Sequence, residues 1–176
     1  MSEDFDATKS STPALAIKLL AHILEKGFQA GGVLAIPIAP ALAYFKANGV
    51  FTPEVLTRFA GYTAASLIGA TGVMAGAKFT QISREGFEDR VYRLHHNTSQ
   101  HRNDRLSEAG AVLGLAATAY LLHSAGVPLK PLNLLGGAAI GAAAGVGLHV
   151  LTKPEDQRTP NQLVNIVKYE VTRGRE

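Results

Sequence analysis

The segment PLNLLGGAAIGAAAGVGLHVLT, residues 131–152, contains no Asp, Glu, Lys or Arg, and His149 is its one ionisable side chain. Three further segments of 19 residues also lack these four residue types, at 27–45, 59–77 and 109–127. A bilayer core about 30 Å thick needs about 20 apolar residues at about 1.5 Å per helical residue. Helices of soluble domains average about 11–12 residues and keep a polar stripe. We therefore predict an all-α membrane protein with four transmembrane helices.

The composition of the whole chain favours the same class. Of its 176 residues, 47% are hydrophobic and 18% are charged, against about 25% charged in an ordinary soluble domain. The chain has no Cys, which excludes disulfides, thiolate metal ligands and a Cys nucleophile. The alternative is a soluble bundle of four buried helices, which requires polar outer faces that the four segments almost entirely lack.

Glycine follows a regular pattern, because 15 of the 18 Gly lie inside the four uncharged segments. In a membrane, small residues four positions apart allow two helix backbones to approach closely. This spacing recurs in the second, third and fourth segments. We predict that nine glycines form the helix-packing faces of the bundle: Gly61, Gly69, Gly72, Gly76, Gly110, Gly114, Gly137, Gly141 and Gly145.

Two prolines, Pro37 and Pro40, interrupt the first segment. Each removes a backbone N–H donor and clashes with the carbonyl one turn earlier, so we predict a helix kink there. A kink that neighbouring helices absorb is favoured over a gating hinge.

The polar segments define the domain organisation. We predict a disordered acidic N-terminus at 1–12, a transmembrane domain at 13–152 with a polar loop at 78–108, and a tail with a short helix at 153–176. Of the 17 Lys and Arg, 14 lie before the first span, in the loop or in the tail. By the positive-inside bias, both termini and the loop face the cytoplasm of a bacterium or the matrix of a mitochondrion.

The loop 78–108 contains Phe87, Val91 and Leu94 at helical spacing, which predicts a short amphipathic helix. Its six basic and five acidic residues suit a protein contact better than nucleic acid, which requires a patch of one sign. We predict that its arginines contact partner subunits or phospholipid headgroups, with cardiolipin as a candidate: Arg84, Arg90, Arg93, Arg102 and Arg105.

Candidates for chemistry are few. His95, His96 and His101 lie near Asp104, and imidazole and carboxylate are competent metal ligands. Because the histidines are spaced by one and five residues, they do not share a helix face, and hydrogen-bonding surface histidines are favoured. We predict no metal site, no cofactor and no catalytic residues, and therefore not an enzyme.

The layout of four short Gly-rich spans resembles the mitochondrial inner-membrane translocase-channel superfamily, which includes a four-helix accessory subunit of respiratory complex I. The resemblance covers roughly residues 27–152, and Phe87 and Ala109-Gly110-xxx-Gly114 fit the family's loop motif in spacing. It implies a multi-pass protein of the mitochondrial inner membrane.

Three functions follow as hypotheses. The first is a non-catalytic accessory subunit of a respiratory assembly, either complex I or a supercomplex, with other subunits and phospholipid as partners. The second is a transport or protein-translocation component of the inner membrane, and the third is a membrane-shaping protein.

Overall fold

The computed structural model describes residues 9–153, so the predictions for the extreme N-terminus and for the tail helix lie outside the described residues. Within this range the protein has five helices and no strands, which confirms the all-α class. The helices are α1 (Thr12–Lys46), α2 (Pro53–Phe79), α3 (Arg84–His96), α4 (Thr98–Ser124) and α5 (Pro131–Thr152).

Local sequence signals set the helix boundaries. The side chains of Thr52, Ser83 and Asn97 each accept a hydrogen bond from a first-turn backbone N–H, and so cap α2, α3 and α4. The chain reverses after α1 at Gly49 (φ 75°) and after α4 at Gly126 (φ 67°), a backbone conformation that glycine adopts without steric cost. Short capped connections therefore fold the chain into antiparallel pairs.

The long helices form two antiparallel hairpins, α1 with α2 and α4 with α5. In the first hairpin, a Cβ added at Gly31 would lie 2.7 Å from Ala64 Cα. The second hairpin joins the first through α5, since a Cβ at Gly32 of α1 would lie 2.1 Å from the carbonyl oxygen of Ala139. The shorter α3 lies against the start of α1, where Phe87 packs on Leu15.

Seven of the nine predicted packing glycines lie beside another helix. A Cβ added at Gly110 would lie 2.2 Å from the carbonyl oxygen of Gly141, and one added at Gly141 would lie 2.1 Å from the carbonyl oxygen of Gly110. The backbones of α4 and α5 are therefore in direct contact. A Cβ at Gly72 would lie 3.3 Å from a Leu24 side chain. At the remaining four glycines, an added Cβ would lie 2.0–2.3 Å from a backbone or side-chain atom of another helix: Gly61, Gly114, Gly137 and Gly145.

Gly69 and Gly76 have no atom of the described chain within 4 Å of an added Cβ. Among the described residues, these two glycines therefore do not form the helix-packing face predicted for them. They lie seven residues apart on the outward face of α2, which also carries the exposed side chains of Tyr62 and Val73. Their spacing matches that of the packed glycines, but α1 and α5 contact other faces of this helix.

The helices extend beyond the uncharged segments. The polar segment 78–108 contains α3, which confirms the short helix predicted from Phe87, Val91 and Leu94, and it also contains the first eleven residues of α4. Charged side chains permit helix formation as readily as apolar ones, so the ends of apolar segments do not mark helix ends. The first helix continues through Pro37 and Pro40 to Lys46, and the kink there stays a prediction.

In the described part of the chain, three helices are long and apolar enough to cross a bilayer: α1, α4 and α5. The second predicted span, 59–77, lies inside α2, which is not among them. Ala, Gly and Thr dominate that helix, and they are less hydrophobic than the Leu, Ile and Val of a typical span. Four crossings are therefore a proposal rather than a finding.

The glycine contact between α4 and α5 gives a first prediction. Gly141→Ala places a methyl group against the Gly110 carbonyl and should destabilise the protein by about 1–3 kcal/mol, the usual cost of overpacking. Gly147→Ala in the same helix meets open space and should leave the melting temperature equal or higher, since Ala favours helix. Thermal unfolding in detergent compares the two variants. Equal melting temperatures would contradict the close backbone contact.

Candidate functional site

Polar side chains from two helices meet at one end of the bundle, where the first half of α1 lies near the start of α4 and α3 covers both. We call this group the polar cluster. Its members lie within hydrogen-bonding or ion-pair distance of one another: His22, Glu25, Lys26 and Gln29 from α1, and Gln100, Asn103 and Asp104 from α4.

Asp104 is the centre of the polar cluster. Its Oδ1 accepts hydrogen bonds from the Lys26 ammonium, from Gln29 Nε2 at 3.0 Å and from Gln100 Nε2 at 2.8 Å. Its other oxygen, Oδ2, lies 3.8 Å from His22 Nδ1. Donors from both helices therefore fix the orientation of this carboxylate.

Gln29 connects the cluster to the interior of the bundle, with 5% of its surface exposed. Its carbonyl oxygen accepts from Lys26 Nζ at 2.8 Å and from Asn103 Nδ2 at 3.0 Å, and its amide donates to Glu25 Oε1 at 2.8 Å. A buried amide with all these partners is tolerated, whereas an unpaired one would cost about 1–3 kcal/mol.

The two carboxyl groups titrate very differently. Burial, together with the neighbouring carboxylate of Asp104, raises the pKa of Glu25 to about 7. Burial opposes ionisation of Asp104 as well, but hydrogen bonds from Lys26 and Gln29 outweigh it and hold the pKa of Asp104 below its usual value. Burial and the Lys26 charge lower the pKa of His22. The proton of this carboxyl pair is therefore held by Glu25 rather than by Asp104.

A cavity of about 520 Å³ opens beside the polar cluster, between α1, α3 and α4. His22, Glu25 and Asp104 face it from one side, and the apolar side chains of Val91 and Leu94 line it from α3. The cavity gives a small polar ligand or an ion access to the cluster.

Two of the three histidines of the loop 78–108 lie on the wall of this cavity. His95 and His101 line it, and His101 Nε2 lies 2.8 Å from the His95 carbonyl oxygen. His96 is exposed, and its Nδ1 lies 2.9 Å from the carbonyl oxygen of Tyr92. From the sequence, Asp104 is a candidate metal ligand together with these histidines. Its side-chain hydrogen bonds are instead with Lys26 and Gln29 of α1 and with Gln100 of its own helix α4.

Three of the five predicted contact arginines lie on α3 and interact with that helix itself. Their partners stand four residues away, a spacing typical of helix surfaces: Arg84 binds Glu88 at 2.8 Å, Arg93 binds Asp89 at 2.6 Å, and Arg90 donates to the Gly86 carbonyl at 3.0 Å.

The other two arginines lie on α4. Arg102 donates to Thr152 Oγ1 at 2.7 Å and to the His149 carbonyl at 3.4 Å, so it joins α4 to the last turn of α5. Arg105 lines the cavity. The partner and lipid contacts predicted for these arginines stay predictions.

A second buried polar group lies at the opposite end. Asn133 is fully buried, and its amide donates to the Glu54 carbonyl at 2.7 Å and to Thr57 Oγ1 at 3.0 Å. Lys130 pairs with the Glu54 carboxylate at 3.2 Å nearby. These bonds hold the start of α5 to the start of α2.

The polar cluster was not predicted from the sequence, since Lys26 and Asp104 lie 78 residues apart. One signal was present: Gln29 is a polar residue inside the apolar segment 27–45. Polar residues at such positions usually mark a function or a buried network.

The fold and this site define a class: an all-helical protein with three helices apolar enough to cross a membrane and a polar cluster at one end. A family described as "protein of unknown function (DUF1757)" matches residues 6–152. The chain therefore belongs to this family, and the match includes all five helices and the whole polar cluster. A comparison with the curated proteins gives no match.

The raised pKa of Glu25 predicts a pH-dependent stability. A folded-state pKa near 7, above the ordinary value of 4.5, means that folding favours the protonated acid. Its stabilising contribution is complete below the unfolded pKa and is lost as the pH rises through 7. Glu25→Gln keeps an acceptor for Gln29 and stays neutral. At pH 8 this variant should be more stable than the native protein by about 1 kcal/mol, allowing for solvent screening.

The measurement is the melting temperature between about pH 5 and pH 8. The control is Glu88→Gln on α3, which should keep the native pH dependence. If Glu25→Gln showed the same pH dependence as the native protein, the carboxyl pair would not control stability.

Proposed function

We propose that this protein is a non-catalytic structural subunit of a membrane assembly, with a respiratory assembly of the mitochondrial inner membrane, complex I or a supercomplex, as the preferred host. The observation that carries the proposal is that side-chain size is distributed between interior and surface in the reverse of the way found in a soluble domain. The bundle interior is built from Gly and Ala, and large apolar side chains face outward.

The interior contains Ala35, Ala39 and Ala60 as a buried cluster, and the three largest fully buried side chains are Leu15, Leu122 and Asn133. On the outside, Phe45 of α1, Val73 of α2 and Leu151 of α5 are 75%, 75% and 80% exposed. A soluble domain buries such residues, whereas a bundle in lipid packs through small residues and exposes large ones. Lipid and neighbouring subunits are the partners that fit these faces.

The proposal includes four membrane crossings, with α2 as the fourth. Its 27 residues are about 40 Å long, enough for a bilayer core. The helix packs against α1 and α5, and Glu54 and Lys130 pair where α2 and α5 both begin. Because α1 and α5 have the length and composition of spans and α2 packs against both, we expect α2 to cross the same layer.

The polar end of the bundle would face the mitochondrial matrix, where α3 offers a contact surface for other subunits or for phospholipid headgroups. Arg93 and Asp89 on its outer side are 68% and 60% exposed. Paired charges on an amphipathic helix suit a protein contact, and the arginines suit an anionic headgroup such as cardiolipin.

The hydrogen bonds of the buried and half-buried threonine hydroxyls on α2 favour a structural role over transport. Thr57, Thr63 and Thr71 of α2 each donate to a carbonyl oxygen four residues earlier, at 2.6, 3.0 and 2.8 Å. Hydroxyls bonded to their own helix do not offer a continuous polar path. Transport and protein translocation therefore remain the weaker alternative.

The four crossings can be tested by labelling, because the chain has no Cys of its own. Single substitutions Val50→Cys, Gln81→Cys and Ala125→Cys place thiols in three connections between helices. In sealed inner-membrane vesicles of one orientation, an impermeant maleimide should label Val50→Cys and Ala125→Cys on one side and Gln81→Cys on the other. Labelling of Val50→Cys and Gln81→Cys from the same side would show that α2 does not cross.

The host assembly can be tested by native gel electrophoresis of mildly solubilised inner membranes. We expect the protein to migrate with complex I or a supercomplex, and Arg93→Glu on α3 to reduce this co-migration. The control Lys46→Glu reverses an exposed cation at the opposite end and should have less effect. Migration of the native protein only as a monomer or small oligomer would contradict the proposal.

A further inference from the structure

Helices α1 and α4 each place a histidine and a carboxylate, three residues apart, on the wall of one cavity. On α1 the pair is His22 and Glu25, and on α4 it is His101 and Asp104. Residues three apart lie on the same side of a helix. In helical bundles, histidine and carboxylate side chains at this spacing on facing helices form metal sites.

The distances fit a single ion. One ligand atom each from His22, Glu25 and Asp104 lies within 4.8 Å of the other two. With metal–ligand bonds of about 2.0–2.2 Å, the ligand atoms of one tetrahedral ion lie about 3.4 Å apart, so small side-chain rotations would close the site. All three residues are partly buried, which limits competition from water while leaving access through the cavity.

Asp104 is already oriented for such a role. Its Oδ1 accepts hydrogen bonds from the side chains of Lys26, Gln29 and Gln100, and Oδ2 faces His22. Outer-shell donors of this kind hold a ligating carboxylate in position. Lys26 therefore occupies one oxygen of Asp104 and leaves the other on the side of the proposed ligands.

The cavity provides space for a fourth ligand. His101 lies on its wall, with Nε2 at 2.8 Å from the His95 carbonyl oxygen. If Nε2 carries the proton and donates it to this carbonyl, Nδ1 is the unprotonated ring nitrogen. A contact between the second ring nitrogen and a backbone carbonyl is usual for metal-binding histidines. Either His101, after a side-chain rotation, or a water molecule could complete four-coordination.

We propose that the polar cluster binds one divalent first-row transition-metal ion, of which Zn²⁺ is the probe, through His22, Glu25 and Asp104. One imidazole nitrogen and two carboxylate oxygens suit such an ion. The bound ion would join α1 to α4 at the polar end of the bundle. This inference is independent of the proposed subunit role.

Isothermal titration of the metal-free, tag-free protein in detergent with Zn²⁺ tests the site. The native protein should bind one Zn²⁺ per chain with micromolar or tighter affinity. His22→Gln, Glu25→Gln and Asp104→Asn should each weaken binding by more than about tenfold, since even outer-shell substitutions cause losses of this size.

Matched controls lie on α3 and do not line the cavity: His96→Gln, Glu88→Gln and Asp89→Asn should bind Zn²⁺ like the native protein. Circular dichroism checks that each variant is folded. Because Asp104 binds the Lys26 ammonium, Asp104→Asn is the variant most prone to misfold. If it does not fold, the Zn²⁺ affinities of His22→Gln and Glu25→Gln decide whether the site exists.

Three results would overturn the proposal. One is the absence of Zn²⁺ binding to the folded native protein, which would make the polar cluster a metal-free ion-pair network. Another is equal binding by the native protein, His22→Gln and Glu25→Gln, which would place the bound ion on other surface groups. Loss of binding in the α3 controls would likewise move the ion to the exposed histidine and carboxylates of that helix.

Discussion

The direct contact between the backbones of α4 and α5 is the constraint on which the rest of the bundle depends. At Gly110 and Gly141 no side chain separates the two helices, and a methyl group on either would meet a carbonyl oxygen. The same helix α5 approaches α1 beside Ala139 and approaches α2 at Gly136. Because α5 contacts all three long neighbours through small residues, it positions the two hairpins against each other.

Close helix packing has a consequence for the outer surface. When Gly and Ala fill the interior, the large apolar side chains have no interior volume to occupy and must face outward. The exposed Phe45, Val73 and Leu151 therefore follow from the same constraint as the glycine contacts. Water would penalise such a surface by about 25 cal/mol per Å² of apolar area. A bilayer or an apolar partner removes this penalty, so the packing of α5 is compatible with a location in a membrane.

The sequence predicted the class of the fold and much of the glycine packing, but not the full helix lengths or every packing face. The absence of charges over 131–152 coincides with α5 itself. The short helix predicted within 78–108 is present as α3, but the start of α4 was not predicted, because charged residues also form helices and α4 begins eleven residues before its uncharged part. Gly69 and Gly76 have the right spacing but the wrong face, since periodicity defines a stripe without saying which neighbour covers it.

The polar cluster depends on a relation between helices that no local pattern contains. Within the described residues, α1 packs on α2, α3 and α5, while α4 packs mainly on α5, so α1 and α4 stand diagonally across the bundle. Helices in this arrangement are too far apart for glycine contacts, and only long side chains such as Lys26 and Gln29 bridge the gap to Asp104. The space that they do not fill is the cavity. Close packing around α5 and an open polar site between α1 and α4 are thus two results of one geometry.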